Sequence, residues 1–404
     1  MEFSFNQEEE LFRKSAREFV ERYVKPNWVA LDDGKYGLIN IIRRMGEVGL
    51  LGIPFNSKYG GADGSFTMVA LATEELAYGD PSLATAVYYL LNNAWPFMVQ
   101  RYASDAVKEE ALPLVSTGKA FIGIASTEPQ GGSDVASFKL EAKRKGNAWA
   151  LNGEKNIVTG ISLIVNDLEE GGFVTIGRTG PIESRHKGLT VFLPLIKRRG
   201  SLLPGFEYND YEEIGRRGLP TGLLRFKDFE VPDNQVLGEV NGGFKIAMEG
   251  FDLARTMIAA ASIGATKWLL EEGRKWIKER QVFGKPIASY EGVSFKYAEL
   301  ATRLEAAELL MFKAVWAADK AFIKGDGVDI LEVATLGAMA KMTAVELAVD
   351  ASLEVMKWFG GMSYFKELPE ARVLLSALSY YVGAEGAANI MRLIVARNRI
   401  GKEV

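Results

Sequence analysis

The sequence predicts an α+β protein, mostly α, in three blocks: a helical N-terminal domain (1–120), a central antiparallel β-barrel (121–235) and a C-terminal four-helix bundle (236–404). Three observations support this. A chain of 404 residues exceeds one ordinary core, so two or three domains are expected. Apolar residues recur at helical spacing to about residue 120 and again from Gly243. Between them, short strand-like runs follow one another around glycine-rich turns.

In the first block Leu11, Phe12, Ala16, Phe19, Val20 and Tyr23 form an apolar stripe opposed by charges. A helix over about 37–48 stops before Gly49, and 53–64 reads as a turn. Helices over 65–78, 83–102 and 106–115 follow. The character changes at Gly118. Strand-like runs at 121–125, 148–151, 173–176, 189–193 and 223–226 succeed one another without helices, which implies an antiparallel sheet or small barrel. From Gly243 a long helix carries Ile258, Ala261, Ala265, Trp268, Leu269 and Trp276 on one face, and Gly284 and Pro286 punctuate its end. Helices over 292–324, 330–358, 369–381 and 385–399 complete a bundle.

Composition excludes several chemistries. A quarter of the residues are charged and the net charge is -4, so nothing suggests nucleic acid or acidic lipid as a partner. The chain has no cysteine and one histidine, which removes thiol catalysis, disulfides and thiolate metal sites, and any Ser-His-acid triad not built on His186. His186 reads as part of a surface loop, the basic run Lys197-Arg198-Arg199 as a solvated one, and no metal site is expected. The first residues lack the basic-then-apolar signature of a signal peptide, and no apolar run reaches membrane-spanning length. A cytoplasmic protein with no membrane partner is expected.

Two stretches carry candidate chemistry. Glu385 is the only acidic side chain between Glu370 and Glu403, and its neighbours are Gly383, Ala384, Gly386 and Ala387. A carboxylate poor in polar neighbours has its pKa raised toward a general-base range. The plainer alternative is a helix start with Glu385 in its first turn. In Thr127-Glu128-Pro129-Gln130-Gly131-Gly132-Ser133-Asp134, two glycines beside hydroxyls let backbone N–H groups face an anion or a flat ring. This stretch matches neither common glycine-rich nucleotide fingerprint.

Taken in order, TEPQGGSD, Asn152-Gly153-Glu154-Lys155, RQVFGKP and EGAANIMRLIVAR resemble the acyl-CoA dehydrogenases along almost the whole chain. Tyr59-Gly60-Gly61, Leu253-Ala254-Arg255 and Phe359-Gly360-Gly361 add to the likeness. The resemblance implies FAD between the middle and C-terminal domains, an acyl-CoA substrate, and an electron-transfer flavoprotein as acceptor. It implies that Ile124, Ser126, Thr127, Gly132 and Ser133 lie along the flavin, with Ile157, Val158 and Thr159 flanking its ring. Arg280 and Phe283 would reach the FAD of a second subunit, which makes a homotetramer or homodimer the expected assembly. Glu291, Lys357, Gly360, Gly361 and Ala387 fall at further FAD-contacting positions. Ser133, Asp252, Arg255 and Gly386 would touch the acyl-CoA.

The implied reaction is α,β-desaturation to the trans-2-enoyl-CoA, with Glu385 removing the α proton and its own backbone N–H steadying the enolate. Ala254 occupies the position from which some members supply the base, so Glu385 has no rival there. Glu385 stands one residue later than the family spacing from Pro369, which implies a one-residue insertion before it. Lys357 and Glu291 replace glutamines, Ala387 replaces a threonine, Ile157 stands where a ring is frequent, and Leu375-Ser376 replaces an Arg-Asp pair. Alternatives on the same fold are an acyl-CoA oxidase, a flavin monooxygenase, or a non-catalytic relative that binds nucleic acid or protein.

Overall fold

The computed structural model describes residues 4–401 and 403. Its first block holds α1 (Gln7–Phe19), α2 (Trp28–Asp32), α3 (Ile39–Glu47), α4 (Phe66–Gly79), α5 (Ala84–Tyr102) and α6 (Asp105–Ser116). Local chemistry sets the helix starts. Asn6 accepts the Glu9 N–H while the Glu9 carboxylate accepts the Asn6 N–H, a capping box on α1. Ser65 caps α4 by accepting from the Met68 N–H. α4 and α5 are apolar on nearly every face and buried almost end to end, so they form the inner layer of this block.

The middle block comprises β1 (Ala120–Ala125), β2 (Glu141–Lys145), β3 (Ala148–Thr159), α7 (Ile161–Asp167), β4 (Glu170–Arg178), β5 (Leu189–Phe192), β6 (Leu195–Arg198), β7 (Ser201–Leu202), β8 (Phe206–Asp210), β9 (Thr221–Pro232) and β10 (Val236–Leu237). The sheet runs β10-β5-β4-β2-β3-β9-β8 and does not close on itself. β1 lies parallel to β4, from Ala120 opposite Glu170 to Ala125 opposite Thr175. β2 also meets β4 in parallel, at Glu141 and Arg178. The sheet is therefore mixed and open, which corrects the expected antiparallel barrel on both counts. Parallel neighbours need a crossover connection, and α7 lies within it. At seven residues, α7 is too short to show a helical repeat and reads in the sequence as one more apolar run.

The basic run also departs from expectation. Lys197 is buried in β6 and donates to the Val165 carbonyl at 2.8 Å, while Arg198 Nε donates to Glu110 of α6 at 2.9 Å. Lys197 thus points into the middle block and Arg198 ties the sheet to the first block, whereas Arg199 is exposed as expected. His186 lies exposed in the loop before β5, as expected.

The third block holds α8 (Gly243–Glu279), a hairpin of β11 (Gln281–Val282) and β12 (Lys285–Pro286), α9 (Glu291–Ala318), α10 (Ile330–Phe359), α11 (Ala371–Val382) and α12 (Ala388–Arg399). α8 packs on α10 and also on α4 and α5, so one helix joins the two helical blocks. Gly264 allows this approach: a Cβ there would stand 2.1 Å from the Glu74 carbonyl oxygen of α4. Among the described residues no helix is long and apolar enough to cross a membrane.

Candidate active site

The turn between α11 and α12 is built from its backbone outward. Gly386 N–H donates to the Gly383 carbonyl at 3.0 Å, closing the turn. Glu385 takes φ +49° and Gly386 φ +114°. Left-handed backbone is uncommon for a residue with a Cβ, so something must hold Glu385 there. Two buried cations do. Arg255 Nε, from α8, donates to the Glu385 carbonyl at 3.0 Å. Lys341 Nζ, from α10, donates to the carbonyls of Ala384 and Gly386, the latter at 2.5 Å. Gly386 is favoured as glycine because its φ of +114° lies in a region that residues with a Cβ rarely adopt. The helix expected to begin at Glu385 begins at Ala388, with Ala387 as its extended N-cap. Glu385 is therefore not a first-turn partner of the helix dipole.

Charge around this turn is concentrated and buried. Burial pushes the Glu385 carboxyl above the usual carboxylate range, against the opposing charges of Lys341, Arg216 and Arg255. Burial draws Lys341 down to about 8, opposed by Glu385 and aided by Arg255. Asp252 is pushed up to about 6 by burial, although Arg255 Nη1 donates to it at 2.6 Å. Tyr380 is buried beside them, and its hydroxyl has no hydrogen-bond partner among the described residues.

The glycine-rich loop after β1 is clasped by a third buried cation. Lys155 is wholly buried and donates to the Ser126 carbonyl at 2.9 Å and to Glu128 Oε1 at 2.8 Å. Glu128 also accepts the N–H groups of Lys139 at 2.7 Å and Leu140 at 2.9 Å. Burial pushes Glu128 up, but the Lys155 charge and these bonds outweigh it and hold the carboxyl below its usual range. Two motifs noticed separately in the sequence, TEPQGGSD and NGEK, are thus one ion pair.

This loop fits the pyrophosphate and ring expected of FAD. Gly132 and Ser133 are exposed, and their N–H groups meet no acceptor among the described residues, as an anion cradle requires. Ile157 offers an apolar side chain 64% exposed, on a backbone at φ +57° that a β-branched residue adopts only under strain. Asn156 holds that strain by accepting the Ile157 N–H at 2.9 Å and the Tyr211 hydroxyl at 2.6 Å. Val158 is buried, whereas Ile124, Ser126, Thr127 and Thr159 are partly accessible.

The strand group and the turn group meet through Arg216. Its Nη2 donates to Thr221 Oγ1 at 2.8 Å, which lies 3.0 Å from Thr159 Oγ1, and its charge acts on Glu385 and Tyr380. Its backbone N–H donates to Ser376 Oγ of α11 at 3.1 Å. Arg280, Phe283, Glu291, Lys357, Gly360 and Gly361 do not join them. They gather at the other end of the bundle, where Trp276 Nε1 donates to the Trp358 carbonyl at 2.8 Å and stacks on Phe359. Along α8 that end lies about 37 Å from Arg255, at 1.5 Å per residue.

Sequence reasoning missed Lys341 and Arg216. Lys341 left a signal, as the only charged residue between Glu332 and Glu346 in a buried helix stretch. Among the described residues no group of three or more His, Cys, Asp or Glu is placed to hold a metal ion.

Comparison with known proteins covers the chain nearly from end to end. Family models described as acyl-CoA dehydrogenase N-terminal, middle and C-terminal domains match residues 6–119, 123–229 and 241–400. An acyl-CoA dehydrogenase of Bacillus subtilis is 31% identical over 399 residues, covering 98% of each chain. A glutaryl-CoA dehydrogenase of Desulfococcus multivorans is 30% identical over 405 residues, covering 99% of this chain and 98% of its own. The solved butyryl-CoA dehydrogenase from Megasphaera elsdenii superposes with a TM-score of 0.87 at 27% identity, over 98% of this chain and 99% of its own. With relatives matching over nearly their whole length and a loop that fits a flavin, the chain belongs to the acyl-CoA dehydrogenase family, a family of oxidoreductases, and its cofactor is FAD.

Proposed function

We propose that this enzyme desaturates an acyl-CoA thioester between its α and β carbons, giving the trans-2-enoyl-CoA, with Glu385 as the base. The observation that carries the reading is Glu385 itself: a carboxyl raised by burial, on a left-handed turn fixed by two cations, and linked through Arg216 to Thr221 and Thr159 at the ends of β9 and β3. The carboxylate takes the α proton onto an Oε as the C–H electron pair moves toward the thioester carbonyl. The Glu385 backbone N–H makes no bond within the described residues and serves as donor to that carbonyl oxygen as it gains charge. FAD, when bound, supplies the acceptor for the β hydride. An electron-transfer flavoprotein then takes the electrons onward. The same reading divides the chain at about residues 120 and 235.

Anaerobic addition of a panel of acyl-CoAs to the FAD-loaded enzyme tests this. At least one saturated acyl-CoA should bleach the flavin absorbance; a panel in which none does sinks the proposal. The pH dependence has a definite sign. Proton abstraction needs the carboxylate, so the bleaching rate is full above the Glu385 pKa and lost as pH falls through it. Because that pKa is raised, the limb lies above the range of an ordinary glutamate.

We further propose that the enzyme works as a homo-oligomer, a dimer or tetramer. Phe283 stands 94% exposed on the β11–β12 hairpin at φ +52°, an apolar tip suited to a second copy, and the predicted cofactor residues at that bundle end lie far from Glu385. Light scattering should give a mass of at least two chains, and Phe283→Ser should lower both the mass and the FAD retained. A monomer with full FAD content contradicts the proposal.

A further inference from the structure

We infer that Lys341 is a positioning residue that aims and strengthens the Glu385 backbone N–H, the donor to the substrate's thioester oxygen. This rests on the reading of the Glu385 turn as the reaction site, and it assigns a role to a residue which that reading leaves unused. The argument begins with the peptide bond. The Ala384 C=O and the Glu385 N–H belong to one planar trans unit and point in opposite directions. Lys341 Nζ bonds the Ala384 oxygen from inside the bundle, so the Glu385 N–H faces away from the bundle interior. That N–H has no acceptor among the described residues.

The cation also changes the strength of the donor. A charge on the carbonyl oxygen polarises the amide and makes its N–H a better donor as negative charge grows on a bound oxygen. The second Lys341 bond, to the Gly386 carbonyl, and the Arg255 bond to the Glu385 carbonyl fix the next two peptide planes. Three consecutive carbonyls thus converge on two buried cations, which accounts for the left-handed backbone at Glu385. A lysine buried only to neutralise Glu385 would hydrogen-bond a carboxylate. Lys341 hydrogen-bonds none among the described residues; both of its bonds go to backbone carbonyls.

Acetoacetyl-CoA is the probe. Its α carbon is acidic enough to lose its proton to solvent without a base from the enzyme, and its bound enolate gives oxidised flavin a long-wavelength charge-transfer band. FAD-loaded wild type, Lys341→Met and Lys341→Arg are titrated with it across pH, with free CoA affinity and FAD content as controls. Lys341→Met should keep FAD and CoA affinity while binding the enolate about 10-fold or more weakly, with the band forming only at higher pH; direct loss of such a donor costs roughly 10²–10³-fold. Lys341→Arg, which keeps the charge, should retain most of the band. A wild-type band in Lys341→Met overturns the inference. If Lys341→Met does not fold, Lys341→Arg and Lys341→Gln decide: loss greater in Gln than in Arg supports the role, and two wild-type bands overturn it. Failure of the base assignment would show separately, as bleaching by a saturated acyl-CoA in Glu385→Gln.

Discussion

Glu385→Gln should keep FAD and acyl-CoA binding but lose flavin bleaching by roughly 10³-fold or more, the scale of a missing general base. Glutamine preserves the size of the side chain, and the turn is held by carbonyls that the substitution leaves in place. Binding and chemistry should therefore separate. A second readout is independent of turnover. The folded carboxyl has a raised pKa, so its ionisation at neutral pH opposes folding: its contribution to stability is full below the unfolded pKa and is lost as pH rises through the folded one. The neutral amide escapes that loss, and the variant should melt at a higher temperature than wild type at pH 7. Retained turnover would place the base elsewhere; a lower melting temperature would mean that the carboxylate is structurally required.

Lys155→Met should be the most destabilising single change considered, by about 3–5 kcal/mol, the usual result of removing one partner from a buried ion pair. Lys155 is wholly buried, and its ammonium joins β3 to the loop carrying Thr127, Gly132 and Ser133, beside the Asn156 N–H that donates to the Thr127 carbonyl at 2.7 Å. Its loss strands the buried Glu128 carboxylate and frees the Ser126 carbonyl. Chemical denaturation would register the stability change, and flavin absorbance per chain would register FAD loss. Stability and FAD content both equal to wild type would show that the pair does not organise the loop. Exchanging both partners for apolar residues of similar volume should restore much of the stability but not the FAD content.

The positions of the helices were legible because they are long and strongly patterned. The stripe from Ile258 to Trp276 lies on α8, and the stop around Gly284 and Pro286 became the β11–β12 hairpin. The sheet was less legible. Strands identify themselves locally, yet their neighbours do not: β1 and β4 pair in parallel across an intervening β2, β3 and α7. Nothing in a six-residue run such as Ala120–Ala125 specifies a partner fifty residues away.

For the site, the sequence by itself determined which groups carry chemistry. A lone carboxylate among glycines and alanines, and a glycine-rich loop beside hydroxyls, are covalent facts, and their order along the chain pointed to the family. Only the tertiary structure decided how they are held. Lys341 and Arg255 are separated from Glu385 by 44 and 130 residues, and no local pattern relates them. Hydrogen bonds act over about 3 Å, so a lysine inside an apolar helix acquires its meaning only when folding brings two carbonyls to its ammonium.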